Sequence, residues 1–157
     1  MSELLDAIAD LPNAYEPRPG LVTGGQPEIR HLAALRRAAA AVVVDMRDPM
    51  EPRPYEVPHA VEAAGMDYVS IPLSHTPGDA GPIGALRAEL RRRDGTGVLC
   101  HCSSGNRTAA ALIPYLMLDC GMPEDEAVME AMKMGCRDSG LIEWAVDYVR
   151  KASSKSV

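Results

Sequence analysis

The sequence predicts an α/β domain with a central, mostly parallel sheet of about four or five strands and helices on both faces. The chain has 157 residues, which suits one domain with a substantial core better than two. Short apolar runs alternate with helical patterns of roughly 10–13 residues, as in βαβ units. The run 41–44 is apolar throughout, which is typical of a strand buried on both faces. Together these observations favour a single domain built around a parallel sheet.

The elements follow in order along the chain. Pro27 opens a predicted helix, in which apolar residues follow at helical spacing as far as Arg36. The strand 41–44 comes next, and residues 47–58 form a loop because they contain four prolines. The remaining predictions are a short helix at 57–64, a strand at 66–71, a loop at 72–82, a helix at 83–93, a strand at 97–101, a helix at 108–120, a helix from 123, and a last helix at about 138–151.

The domain boundaries follow from these elements. Residues 1–15 precede the first clear pattern and are interpreted as an N-terminal extension. Residues 16–151 form the predicted domain, and the small, polar residues 152–157 form a predicted disordered tail.

Composition excludes several classes of function. The net charge of −6 and the lack of a basic stripe argue against nucleic-acid binding. No stretch approaches the ~20 apolar residues of a membrane span, and the acidic start lacks the pattern of a secretion signal. The four cysteines have neither disulfide-framework nor zinc-site spacing, which favours a reducing cytoplasm and predicts no metal or cofactor. No pattern specifies an oligomeric state.

Residues 98–108 carry the clearest functional signal. A short apolar strand leads into a tight polar loop, and a helix follows. Small residues allow successive backbone N–H groups to turn inward, and the positive end of the helix faces the same point, which makes an anion cradle. Cys102 begins the loop and Arg107 ends it, and the residues between them are the predicted phosphate-binding donors: Ser103, Ser104, Gly105 and Asn106.

These residue types favour nucleophilic catalysis on an oxyanion. A thiol at Cys102 would lose its proton readily beside the loop dipoles and an arginine. Arg107 can grip two phosphate oxygens through its planar fork. The hydroxyl of Thr108 either hydrogen-bonds the sulfur or caps its own helix. His101 is expected to point away from the ligand and to stiffen the loop through a structural hydrogen bond.

A leaving group needs a proton from a neighbouring loop. Asp79 is the best-placed acid and His75 the second, although an aspartate beside a glycine is equally typical of a turn. Gln26 lies in a Gly-rich segment, residues 23–27, that is most simply a tight turn beside the site. Arg47 follows a buried strand, where it contacts either the substrate or a nearby carboxylate.

The loop and the helix after it resemble the signature of the cysteine-dependent dual-specificity phosphatases. The wider pattern is closer to the bacterial phosphatase-like domains of DUF442, the "beta-lactamase hydrolase-like" family. The matching segments are Gly-Gly-Gln-Pro at 24–27, Val-Val-Asp-Met-Arg at 43–47, Gly-Met-Asp-Tyr-Val-Ser-Ile-Pro at 65–72, and His-Cys-Ser-Ser-Gly-Asn-Arg at 101–107. The resemblance spans residues 20–150. It implies a hydrolase for phosphate monoesters, including those of protein tyrosine or dual-specificity substrates, with Cys102 as nucleophile, Arg107 binding phosphate and Thr108 supporting the leaving sulfur.

One departure keeps other functions open. The tyrosine phosphatase superfamily has five residues between cysteine and arginine, whereas this loop has four, from Ser103 to Asn106. Rhodanese sulfurtransferases often carry the shorter loop, so sulfur transfer through a Cys102 persulfide is the first alternative. A phosphate-binding module without an effective acid is the second.

Overall fold

The computed structural model describes residues 2–154, and in that part of the chain a five-stranded sheet has the order β1-β2-β5-β3-β4. The strands are β1 (Tyr15–Arg18), β2 (Leu21–Gly24), β3 (Ala40–Asp45), β4 (Asp67–Ser70) and β5 (Gly97–His101). All neighbouring pairs are parallel except β1 with β2, which are antiparallel. The predicted α/β fold with a mostly parallel sheet is confirmed.

The helices are α1 (Glu3–Asp6), α2 (Ile29–Arg37), α3 (Val57–Ala63), α4 (Gly81–Arg92), α5 (Asn106–Pro114), α6 (Glu124–Lys133) and α7 (Ser139–Ser154). Between α5 and α6, residues Tyr115–Asp119 form a π-helical turn. Proline has no N–H with which to continue the i→i−4 ladder, so a change of helical geometry at Pro114 has a direct cause. The predicted helix at 108–120 is therefore α5 followed by this wider turn.

Two predictions about local structure are wrong. Thr23 and Gly24 belong to β2 rather than to a tight turn, because the segment gains its hydrogen bonds from β5, far away in sequence. The last helix continues through Ser154 instead of ending near Lys151. It therefore includes the first three residues of the predicted disordered tail, and the others, 155–157, lie outside the described residues.

The sheet buries apolar side chains on both faces. Val42 and Val44 pack into a cluster that includes buried residues of α4, α5, α6 and α7. Val43 points to the opposite face, where it packs with buried residues of α1, α2 and α3. This alternation is the period-2 geometry of a strand, and it confirms helices on both faces of the sheet.

The segment preceding β1 is packed into the second cluster. Leu4, Ile8 and Leu11 are buried there. The carbonyl of Pro12 accepts a hydrogen bond from the Gly25 N–H at 2.9 Å, which fastens the segment beside the end of β2. The first part of the chain therefore contributes to the core. Within residues 2–154, no helix is long and apolar enough to cross a membrane.

Candidate active site

The candidate site lies at the carboxyl end of β5, the central strand. His101, the last residue of β5, is in register with Gly24 of β2 and Asp45 of β3. Because parallel strands place their carboxyl ends at one edge, the loops after β2, β3 and β5 converge there. The Met46 N–H donates to the His101 carbonyl at 2.8 Å, which continues the pairing to the start of the loop.

The backbone of the loop after β5 forms a cradle, defined as residues 102–107. The carbonyls of Ser103 and Ser104 accept hydrogen bonds from the Gln26 N–H at 3.1 Å and from Asn13 Nδ2 at 2.7 Å. Gly105 has φ +99°, a left-handed conformation that suits glycine and turns the chain into α5. These outward carbonyl contacts leave the N–H side of the loop free to face a ligand.

The cradle has unused hydrogen-bond donors. Among residues 2–154, no acceptor pairs with the backbone N–H of Ser103, Ser104, Asn106 or Arg107. Ser103 and Ser104 are exposed, so water can reach their N–H groups. A set of free backbone donors beside a helix start is an arrangement that binds an anion. Gly105 is also among the predicted phosphate-binding donors, but its N–H donates to the Cys102 sulfur instead. Phosphate binding by the loop stays a prediction.

Cys102 lies at the base of the cradle with none of its surface exposed. Its sulfur accepts a hydrogen bond from the Gly105 N–H at 3.2 Å. Cys100, two residues earlier, lies within the apolar core, and burial raises the pKa of its thiol to about 12. Cys102 belongs to the same apolar cluster, and of the two cysteines only Cys102 accepts a hydrogen bond from the loop.

Arg107 is buried beside Cys102, with 1% of its surface exposed. Its Nη1 donates to the Leu73 carbonyl at 3.0 Å and to Glu51 Oε2 at 2.6 Å, and its Nη2 donates to Glu51 Oε1 at 2.8 Å. Burial lowers the pKa of the guanidinium, but the hydrogen bonds to Glu51 and the charge of that carboxylate outweigh burial, so the pKa is raised overall. Arg107 Nε is buried and has no hydrogen-bond partner among the described residues.

Glu51 is a site residue that the sequence analysis missed. It lies in the proline-rich loop after β3, 56 positions before Arg107, and this long-range contact leaves no local motif. The sequence offered only an indirect indication of this contact. Glu51 is a carboxylate in the loop after β3, and that loop starts at the same sheet edge as the cradle. Glu51 also accepts a hydrogen bond from Ser103 Oγ at 2.6 Å.

A buried charged group lies below the cradle. Arg47 pairs with Asp45, with Nε–Oδ1 and Nη2–Oδ2 distances of 3.0 and 2.9 Å, and Tyr68 donates to Asp45 at 2.8 Å. Arg47 is 2% exposed. The sequence left it either the substrate or a nearby carboxylate as a partner, and the structure shows the carboxylate of Asp45. His101 Nδ1 lies 3.2 Å from the Cys102 carbonyl, and its Nε2 has no hydrogen-bond partner within residues 2–154. These residues lie at the strand end that carries the cradle.

Three other predicted site residues lie at the cradle. Thr108 is buried, and its hydroxyl has no partner in the described part of the chain, so neither hydrogen bond considered for it is present. Asn106 Oδ1 accepts from the Arg137 N–H at 3.1 Å, which ties the loop to the segment after α6. Gln26 bonds the cradle through its backbone, while its Nε2 donates to the Pro27 carbonyl at 2.8 Å.

The two candidate acids lie in the loop after β4. This loop starts at the cradle, because the Leu73 carbonyl contacts Arg107. His75 is exposed two residues later. Asp79 is exposed as well, and its Oδ1 accepts from the Gly81 N–H at 2.7 Å, as in a turn that opens α4. Across residues 2–154, no hydrogen bond joins either side chain to the cradle.

No protein-family model matches the sequence, and no curated protein matches it as a relative. Solved structures do resemble it. A DUF442 protein of Shewanella putrefaciens CN-32, described as a candidate phosphatase, has a TM-score of 0.81 at 19% identity, covering 94% of this chain and 97% of its own. The chain has the fold of a phosphatase.

Other phosphatase-like structures agree with this fold. PTPMT1 in complex with PI(5)P has a TM-score of 0.79 at 15% identity, covering 92% of this chain and 99% of its own. A cysteine-to-serine variant of P. aeruginosa TpbA in complex with pTyr has a TM-score of 0.71 at 20% identity, covering 90% of each chain. The resemblance predicted from the sequence is thus confirmed at the level of the fold.

Proposed function

We propose that the protein is a cysteine-dependent phosphatase that hydrolyses phosphate monoesters. The observation that carries the proposal is the cradle itself: the loop that begins at Cys102 holds four unpaired backbone N–H groups and the unpaired Arg107 Nε, and its Gly105 N–H donates to the Cys102 sulfur. Phosphoryl transfer gathers charge on the three equatorial oxygens, and fixed donors at those positions stabilise it. The phosphatase-like fold supports the same reading.

The reaction has two steps. The Cys102 thiolate attacks phosphorus, the S–P bond forms, and the bond from phosphorus to the ester oxygen breaks. The leaving oxygen takes a proton from an acid. Water then attacks phosphorus and gives a proton back to the group that served as the acid, the S–P bond breaks, and inorganic phosphate and the thiolate are released. The Arg107 fork and the cradle N–H groups hold the phosphoryl oxygens in both steps.

The first test compares phosphate and sulfur chemistry. Wild-type protein is expected to release phosphate from p-nitrophenyl phosphate in a vanadate-sensitive reaction that Cys102→Ser abolishes. Cys120→Ser is the matched control, because Cys120 lies beyond the far end of α5, where it bonds Arg18 rather than the cradle.

Sulfur transfer is the competing function, and the four-residue spacing of the loop favours it. Thiosulfate and cyanide are therefore assayed in parallel. Thiocyanate formation without phosphate release would reject the phosphatase in favour of a persulfide on Cys102. If the protein is inactive in both assays but still binds an anion, the result would support the second alternative, a phosphate-binding module.

The acid is proposed to come from the loop after β4, with Asp79 ahead of His75. Asp79→Asn should slow hydrolysis of an alkyl phosphate, whose leaving group needs a proton, much more than that of p-nitrophenyl phosphate. His75→Gln is the comparison. Equal effects on both substrates would remove the tested residue from the role.

The substrate is proposed to be a phosphorylated protein or small molecule. PI(5)P and pTyr occupy two proteins of this fold, so the fold accommodates both a lipid headgroup and an amino-acid phosphate. Release of phosphate from a phosphotyrosine peptide and from phosphoinositide micelles would separate these classes.

A further inference from the structure

The Asn13 side chain lies on the outer side of the cradle, and the proposed reaction gives it no role. Its Nδ2 donates to the Ser104 carbonyl at 2.7 Å, across 91 positions of sequence. Within residues 2–154, this is the only hydrogen bond that the Ser104 carbonyl accepts. Asn13 belongs to the segment before β1, in which the Pro12 carbonyl is bound by the Gly25 N–H. The segment therefore reaches the cradle through this side-chain amide.

The bond from Asn13 sets the direction of one N–H group in the cradle. The Ser104 carbonyl and the Gly105 N–H belong to the same planar, trans peptide, in which the two groups point in opposite directions. A carbonyl that is held from outside therefore turns its N–H inward. The Gly105 N–H donates to the Cys102 sulfur at 3.2 Å. Asn13 and the sulfur thus hold opposite sides of one peptide unit.

The backbone at position 13 indicates that the amide is needed there. Asn13 has φ +57°, a left-handed conformation that costs an asparagine more than a glycine. A glycine would make the same bend without strain, but it would leave the Ser104 carbonyl without its donor. The chain therefore keeps the less favourable residue and retains the hydrogen bond.

Two glycines leave the room that the Asn13 side chain occupies. A Cβ on Gly135 would lie 2.4 Å from Asn13 Cγ, and a Cβ on Gly105 would lie 3.4 Å from Asn13 Cβ. The side chain is thus held between the cradle and the turn after α6. Any side chain at position 135 would displace the amide from the Ser104 carbonyl.

We propose that Asn13 is a positioning residue for the nucleophile: it fixes the Ser104–Gly105 peptide so that the Gly105 N–H stabilises the Cys102 thiolate. This rests on the proposed function, because it takes Cys102 as the nucleophile of the same site. A donor that points at a sulfur atom stabilises its charged form more than its neutral form. Asn13 acts through the peptide, so its loss should change the reactivity of the sulfur and not the access to it.

Replacing Asn13 leaves the charges of the site in place, because an asparagine side chain carries none. Ionisable side chains that contact the cradle or lie close to Cys102 are Glu51, His101, Arg107 and Cys136. All of them are retained in a variant at position 13. A change in the pH dependence of Cys102 reactivity is therefore assigned to the peptide that Asn13 holds.

The experiment measures alkylation of Cys102 by iodoacetamide against pH, with peptide mass spectrometry as the readout. A Cys120→Ser background is used because Cys120 is a partly exposed free thiol. Asn13→Gly keeps the left-handed backbone and removes the amide. We expect the pH of half-maximal alkylation to rise by about 0.5–1 unit, which slows alkylation on the acidic side about threefold to tenfold. The plateau at high pH should stay the same or rise slightly, since a more basic thiolate is the better nucleophile.

A second variant and two controls define the result. Gly135→Ala should shift the profile in the same direction, because its Cβ would displace the Asn13 amide. Gly121→Ala is its matched control, with φ +73° and no atom within 4 Å of the Cβ position. Ser2→Ala is the control for Asn13→Gly, because the Ser2 hydroxyl donates to Glu16 at 2.8 Å and so also ties the segment down by a side chain. Both controls should match the wild-type profile.

Several outcomes would overturn the inference. An unchanged midpoint in Asn13→Gly would show that the bond does not act on the sulfur, and an equal shift in Ser2→Ala would show general loosening of the segment. Faster alkylation at every pH would show a change in access. If Asn13→Gly does not fold, the comparison of Gly135→Ala with Gly121→Ala decides in the same way. Alkylation needs no turnover, so wild-type protein that releases no phosphate would reject the proposed function alone.

Discussion

His101 is a buried histidine that carries no charge at neutral pH. Burial lowers its pKa to about 4, although the nearby Asp45 carboxylate opposes this change. Arg47 and Arg53 add to the lowering. The strand end beside Cys102 therefore has the Asp45–Arg47 pair and a neutral imidazole, which keeps additional positive charge out of the core.

This state predicts a pH dependence of stability. The unfolded chain takes up a proton on His101 as the pH falls through about 6.5, whereas the folded chain does not until about 4. The free energy of unfolding should therefore decrease from pH 6.5 to pH 5, by more than about 1 kcal/mol from this residue. His101→Gln should flatten that part of a urea-denaturation profile.

Above pH 5 the effect of His101 on the free energy of unfolding can be measured separately from the effects of the carboxylates. Glu51 has a lowered pKa, so its stabilisation is present above its unfolded value of 4.5 and is lost as the pH falls further. His59→Gln, at an exposed position of α3, is the control and should leave the profile unchanged. A profile of His101→Gln that parallels the wild type would contradict the prediction.

At the residue scale, the sequence predicted what a local motif can encode. Cys102 and Arg107 stand five positions apart in one loop, so their meeting required only the strand, loop and helix around them. Glu51 meets Arg107 through tertiary structure, and no spacing rule relates the two. The position of Arg47 after a strand allowed contact with either the substrate or a carboxylate. Only the folded chain shows that Asp45 is its partner.

At the element scale, helices with capping or proline signals were predicted well and short strands were not. Pro27 lies just before α2, which begins at Ile29, and the short helix predicted at 57–64 corresponds to α3. The strands β1 and β2 have four residues each, too few for a period-2 pattern. The first of them includes Pro17, which disfavours a strand assignment, and both gain their stability from pairing within the sheet.

Gly105 joins the cradle to α5 and allows a prediction at this scale. A Cβ at this position would meet Asn13 Cβ and the Met134 carbonyl at 3.4 Å, on a backbone with φ +99°. Gly105→Ala should lower the free energy of unfolding by about 1–2 kcal/mol through left-handed strain, and it should weaken vanadate binding by shifting the loop. Urea denaturation and vanadate titration measure the two effects.

Gly95 supplies a matched control for this change. It has φ +84°, and no atom lies within 4 Å of its Cβ position. Gly95→Ala should show the strain without the loss of binding. Equal vanadate affinities for the two variants would mean that the cradle tolerates a Cβ at its helix start.

At the scale of the whole molecule, the chain is held together by an apolar cluster on each face of the sheet. The sequence predicted a sheet covered on both faces, but it set residues 1–15 apart as an extension. Leu4, Ile8 and Leu11 instead cover part of one face. These three residues lie in a short helix and in the turns after it, so no continuous hydrophobic periodicity predicts that they are buried.

Burial of this segment predicts a stability effect far from the cradle. Ile8 has no exposed surface, so Ile8→Ala should cost about 2–5 kcal/mol of unfolding free energy. Ile29→Ala is the matched control, because that side chain is 54% exposed, and it should change stability by less than about 0.5 kcal/mol. Thermal or urea denaturation that gave similar losses for both would show that the N-terminal segment contributes little to the core.

The complete burial of Cys102 also bears on how its reactivity is read. A bulky maleimide can reach a sulfur atom without exposed surface only when the covering loops part, so the rate of such labelling counts openings of those loops. A compact electrophile needs a smaller opening and reports more directly on the nucleophilicity of the sulfur. The ratio of the two labelling rates at Cys102 therefore measures local motion over the site, in a Cys120→Ser background because Cys120 is a partly exposed free thiol.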